Sequence, residues 1–116
     1  MHELSIATGI VDEIVRIAEE NRAKRVLAAN LRIGRGAGIV IDSLRFALEV
    51  VKTAHPVLTS TEMRIDEVPL IYRCNDCGRE FEADDLYLPR CPMCGSYNLR
   101  LVSGEEMDIK DIEIEV

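Results

Sequence analysis

The sequence predicts an α+β fold: two helices packed on a small three-stranded sheet, with a cysteine-rich module inserted ahead of the last strand. Three observations predict it. Two stretches carry apolar residues at helical spacing, three stretches alternate apolar with polar residues, and both periods vanish where four cysteines gather. At 116 residues and 13.0 kDa the chain can build one modest core. A sub-region of a few tens of residues would then need a staple such as a metal.

The first helix covers residues 4 to 20. Leu4, Ala7, Val11, Ile14 and Ala18 form one stripe, widened by Ile10 and Ile17, with Asp12, Glu13, Arg16, Glu19 and Glu20 mostly off it. "NRAK" ends it. "RVLAANLRI" then alternates and reads as a strand, with Leu27, Ala29, Leu31 and Ile33 on its covered face. "GRGAG" is a turn. It lacks the GK[ST] ending of a phosphate loop. Residues 39 to 54 form the second helix, capped by Asp42 or Ser43 and striped by Leu44, Ala47, Leu48 and Val51. His55 and Pro56 stop it, which gives His55 a helix-end role before a ligand role. "TEMRIDEV" is the second strand, with Met63 and Ile65 sharing a face.

The closing "LRLVSGEEMDIKDIEIEV" alternates again. Ile109 falls on odd positions but Ile112, Ile114 and Val116 on even ones, so the strand slips near Lys110 and Asp111. The last twelve residues hold six acids and one lysine, and Arg16 to Arg35 holds six basic residues. Placing the acidic strand in the sheet of the basic one pairs these charges. The module is therefore an insertion. One domain is expected from residues 1–72 plus 99–116, and a second from 73–98.

Cys74, Cys77, Cys91 and Cys94 form a C-x2-C-x13-C-x2-C arrangement. Each C-x2-C turn sets two sulfurs on one side of a metal, and two turns complete a tetrahedron. A glycine follows each pair, Gly78 and Gly95, and frees backbone N–H groups to point at the thiolates. The reading is a zinc-ribbon-like module with one structural Zn(2+). Iron in a rubredoxin-like site and disulfides are the alternatives. With four thiolates no position is left for a catalytic water, and no nucleophile–base pair or carboxylate dyad can be placed, so no enzyme is expected. Net charge −7 argues against nucleic acid. No apolar run can span a bilayer and no signal peptide is visible, which makes the cytoplasm the default.

The chain begins Met1-His2-Glu3. Ni(2+) favours square-planar nitrogen and oxygen ligands. The free α-amine, the deprotonated His2 amide and the His2 imidazole can chelate one ion, and Glu3 offers an oxygen nearby. On chemistry alone, a lone histidine at a terminus is more often an accident.

"MHELSIATGIV", "KRVLAANLRIG", "CNDCGREF", "CPMCGS" and "IKDIEIE" resemble, in order and over essentially the whole chain, the HypA/HybF family of hydrogenase nickel incorporation proteins. The resemblance implies a nickel metallochaperone for maturation of nickel–iron hydrogenase, with urease served by some members. It assigns nickel to Met1, His2 and Glu3, and zinc to Cys74, Cys77, Cys91 and Cys94. The partners it implies are a HypB-type GTPase and the nickel–iron hydrogenase large subunit; a homodimer is compatible with it. Arg35 departs from the pattern, standing where many members carry an acid. The competing reading is a zinc-ribbon adaptor that binds other proteins and carries no nickel.

Overall fold

The computed structural model describes residues 2–84 and 89–116, His2 by its backbone alone. The chain order is α1 (His2–Glu20), β1 (Arg25–Gly34), α2 (Ile41–Val51), β2 (Glu62–Val68), β3 (Ile71–Cys74), β4 (Glu80–Glu82), β5 (Leu99–Ser103) and β6 (Met107–Glu115), with two short 3-10 turns between α2 and β2. Among the described residues the strands form two three-stranded sheets, ordered β2-β1-β6 and β4-β3-β5. They belong to two compact units, which the chain passes between four times. One unit is the chain up to Arg32, Ile39–Asp66 and Asp108–Val116; the other is Ile33–Gly38 and Glu67–Met107.

In the first unit the expected stripe of α1 is buried: Ala7, Val11, Ile14 and Ala18 lose essentially all exposure. Leu4 is the exception and stays half exposed in the first turn. Leu44, Ala47 and Leu48 of α2 join them, with Val26, Ala28, Ala29 and Leu31 of β1. α2 ends at Val51, short of the expected residue 54, and the chain continues as 3-10 turns at Lys52–Ala54 and Pro56–Leu58. The buried Thr61 hydroxyl donates to the Val26 carbonyl at 2.7 Å and ties the approach of β2 to β1.

Two details correct the strand reading. Leu27 does not share the covered face of β1; it is exposed, and its neighbours Val26 and Ala28 are buried instead. From Ala29 onward the odd residues face inward as expected. The alternation therefore slips by one residue at Ala28 and Ala29, as it does at a bulge. β6 slips too, where the sequence places the slip. Asp108 and Asp111, three residues apart, both reach side chains of β1, Arg32 and Asn30.

The expected pairing of acidic and basic strands is present on the exposed face of this sheet. The Arg32 guanidinium grips the Asp108 carboxylate with two bonds, 2.9 and 3.0 Å. Arg25 donates to Glu115, and Arg64 of β2 reaches Glu113 of β6 at 2.8 Å.

The second unit is larger than the stretch 73–98. β3 and β5 pair through Tyr72↔Leu101 and Cys74↔Leu99, and β3 and β4 through Tyr72↔Phe81, so the strands flanking the cysteines are part of their own sheet. The terminal strand thus divides. Leu99–Ser103 stays with the cysteines and Met107–Glu115 joins β1, with the break at Gly104 (φ 117°). The turn after β1 also belongs here. Gly34 and Gly36 donate to the carbonyls of Glu106 and Gly104, and Arg35 to that of Val68. Gly34 lies so close to Gly104 that a Cβ on it would sit 2.1 Å from the Gly104 oxygen.

Candidate metal centres

Each cysteine pair is built by the same local device. The chain leaves a strand or loop at the first cysteine and curls. Gly78 donates to the Cys74 carbonyl at 2.9 Å, and Gly95 to the Cys91 carbonyl at the same distance. Both glycines hold positive φ, 78° and 76°, a conformation that carries almost no penalty for a residue without Cβ. The returning carbonyls of Arg79 and Ser96 then accept the N–H groups of Cys74 and Cys91. Two knuckles of one geometry face each other.

The ligand sulfurs of Cys74, Cys77, Cys91 and Cys94 all lie within 4.8 Å of one another. Across the knuckles, Cys74 Sγ is 3.5 Å from Cys94 Sγ, and Cys77 Sγ is 3.6 Å from Cys91 Sγ. A tetrahedron with metal–sulfur bonds of about 2.3 Å has edges of about 3.8 Å, so the four fit one tetrahedral ion. Cys74 and Cys91, the first of each pair, are buried; Cys77 and Cys94 are exposed.

The electrostatics follow the same division. The Cys77 N–H, 3.4 Å from Cys74 Sγ, is the main cause that lowers the Cys74 thiol, against the opposing effect of burial. The Cys94 N–H does the same for Cys91; with help from the Met93 N–H it outweighs burial and brings that thiol down to about 6. For Cys94 the Ser96 N–H pulls down, but the Cys74 sulfur, burial and the Cys91 sulfur outweigh it and push the thiol up to about 12. Cys77 is likewise raised: the Arg79 N–H is overcome by burial and by the Cys91 and Cys74 sulfurs.

A polar clasp missed at the sequence level ties knuckle to knuckle. The Asp76 carboxylate accepts the Ser96 hydroxyl and, at 3.4 Å, the Asn98 amide. Ser96 Oγ in turn accepts the Asn98 N–H, and Asn75 donates to Asn98 Oδ1 at 3.1 Å. Only the bond from the Asn98 N–H to Ser96 is the local kind that a short hydroxyl side chain makes beside a turn; the bonds between the knuckles are side chain to side chain across some twenty residues and leave no local signal. Arg90 closes the second knuckle, donating to the Gly95 carbonyl and lying over the Tyr97 ring.

Of the other expected ligands, Met1 and the His2 side chain lie outside the described residues. Glu3 stands in the first turn of α1, half-buried, and its carboxylate accepts the Val40 N–H at 3.3 Å. Val40 precedes α2 as its N-cap residue and offers no side-chain bond, so neither Asp42 nor Ser43 caps that helix. Asp42 is in its first turn. His55 bridges the two 3-10 turns, donating its N–H to the Lys52 carbonyl and accepting that of Leu58. Arg35 faces Glu82 at 3.7 Å. Among the described residues, the four cysteines alone gather as three or more metal-type ligands.

Residues 1–114 match the family described as "Hydrogenase/urease nickel incorporation, metallochaperone, hypA". The hydrogenase maturation factor HypA of Chlorobium luteolum is 42% identical over 115 residues, 99% of this chain and 97% of that protein. That of Geobacter metallireducens is 39% identical over 116 residues, 99% of this chain and all of that one. The solution structure of the nickel metallochaperone HypA from Helicobacter pylori has this fold, with a TM-score of 0.67 at 21% identity over 97% of both chains. A second HypA solution structure gives 0.71 at 23% identity, over 98% of this chain and 96% of that one. The helix pair, the small sheets, the four-cysteine cluster and a match running from the first residue almost to the last make this chain a member of the HypA family of nickel metallochaperones for hydrogenase maturation.

Proposed function

We propose that the chain carries Ni(2+) at its N-terminus, on the Met1 amine, the His2 amide nitrogen and the His2 imidazole, while Cys74, Cys77, Cys91 and Cys94 hold a structural Zn(2+). The observation that carries this reading is the family match over residues 1–114, which takes in both the Met-His-Glu start and the cysteine pairs. The two donor sets suit different ions. Four thiolates at tetrahedral spacing favour zinc, and chelating nitrogens favour planar nickel. When bound, zinc supplies no chemistry beyond cross-linking the two knuckles. The residues of the cluster fix its ligands: backbone N–H groups steady the sulfurs and the Asp76 clasp sets the spacing.

As a carrier and not a catalyst, the chain works by passing its cargo on. We propose that it acts in the cytoplasm, hands nickel to the large subunit of nickel–iron hydrogenase, and does so with a HypB-type GTPase. An ion can be transferred only if donor and acceptor sites approach, which favours docking on the first unit. Leu4, Phe46 and Val50 leave an exposed apolar surface there.

Calorimetric titration of nickel into the untagged protein, a form extended by one residue before Met1, and His2→Ala tests the site. The extension turns the amine into a peptide nitrogen, so it should abolish tight binding although every side chain is kept. His2→Ala should do the same with zinc content unchanged. Equal affinity in all three would overturn the nickel site and favour the zinc-ribbon adaptor.

A further inference from the structure

α2 begins without a cap of its own. Its N-cap residue, Val40, has no side chain that could accept a hydrogen bond, and the first turn of a helix leaves N–H groups without intrahelical partners. The carboxylate of Glu3, thirty-seven residues earlier, accepts the Val40 N–H at 3.3 Å. Glu3 also sits in the first turn of α1, so its negative charge lies at the positive ends of two helix dipoles at once. This bond joins the start of α1 to the head of α2. The first turn of a helix is otherwise where a chain frays.

His2 is the residue next to Glu3. We infer that the Glu3 side chain is a positioning group: bound to the Val40 N–H, it fixes the first turn of α1 and with it the backbone that presents His2, and its carboxylate is not itself a nickel ligand. The inference rests on the proposed nickel site for its functional meaning, but the clasp is a contact between two residues of the chain and can be measured by itself. An oxygen already accepting a backbone N–H at a helix end is a poor candidate for a departing cargo's ligand, since release would then disturb α2 at each cycle. Orienting partners of metal ligands typically matter by about 10–100-fold in affinity.

Three variants separate positioning from ligation. Glu3→Gln keeps an acceptor oxygen at the same reach and loses the charge. Glu3→Asp keeps the charge and shortens the reach. Glu3→Ala loses both. Two readouts are taken on untagged full-length protein: exchange of the Val40 amide without nickel, followed by NMR, and nickel affinity by calorimetry. Glu3→Gln should hold Val40 protection and nickel affinity close to the parent. Glu3→Asp and Glu3→Ala should both speed Val40 exchange and weaken nickel binding about tenfold or more. If Glu3→Gln loses as much affinity as Glu3→Ala while Val40 stays protected, the carboxylate is a ligand and the inference is wrong. If Val40 exchange is unchanged in Glu3→Ala, there is no clasp, and the inference also falls. Failure of the nickel site itself would show separately, as a His2→Ala protein that binds nickel like the parent.

Discussion

Cys91 is buried, and two backbone N–H groups are aimed at its sulfur. Its thiol lies at about 6, and that of Cys74 is lowered by the same kind of contact. Metal binding needs thiolates, so protons compete with it. A lowered thiol is thiolate above its own pKa and takes up a proton as pH falls through it. The four sulfurs should therefore keep zinc at neutral pH, where the metal displaces the protons of the raised Cys77 and Cys94 as well, and release it progressively on acidification. A chromophoric chelator that reports free zinc across a pH series checks this; release already half complete at pH 7 would contradict it. Cys91→Ala should lose the metal outright. The four cysteines, their pairing and the role of the following glycines were legible from spacing alone. The Asp76–Ser96–Asn98 clasp was not, because each of these residues is ordinary by itself and their meeting depends on the second knuckle folding back over the first.

Along β1 the two faces differ in energetic weight. Leu31 is fully buried, whereas its neighbour Arg32 is exposed and bidentate to Asp108, whose carboxylate is also exposed. Leu31→Ala should cost about 2–5 kcal/mol, through lost burial and the cavity left behind. Arg32→Ala should cost at most about 1 kcal/mol, because water and salt screen an exposed pair. Urea unfolding of both variants makes the comparison, and a larger loss for Arg32→Ala would show that the outer face carries the sheet. The helix stripes were readable because α1 is 19 residues long and repeats its period several times. β3 and β4, at four and three residues, offer too few alternations to register. The division of the last strand was hidden for a different reason. Leu99–Ser103 and Met107–Glu115 both alternate, and only the positive φ of Gly104 turns the chain from one sheet to the other. The slip near Lys110 could be read because two isoleucines of opposite phase flank it.

At the scale of the whole chain, metal loss should be felt unevenly. α1 and α2 both belong to the first unit, and the cysteines to the second. Stripping zinc from the full-length protein should leave most of the far-UV helical signal while amide signals of residues 67–107 collapse toward unfolded positions. The turn 33–38 should collapse with them, because its backbone is bonded to Gly104, Glu106 and Val68. Residue-resolved NMR before and after chelation shows which amides move. An unchanged 33–38 would separate that turn from the cysteine unit; loss of both helices would make the two units one.

The four passages of the chain between the units bear on how such a protein can be altered. Neither unit is an unbroken run of sequence: one is assembled from three stretches and the other from two. No truncation of the chain yields either one whole. A graft of the cysteine unit onto a new scaffold must carry residues 33–38 along with 67–107. The two units are therefore interleaved in sequence, and a chain cut at any of the four junctions loses part of at least one of them.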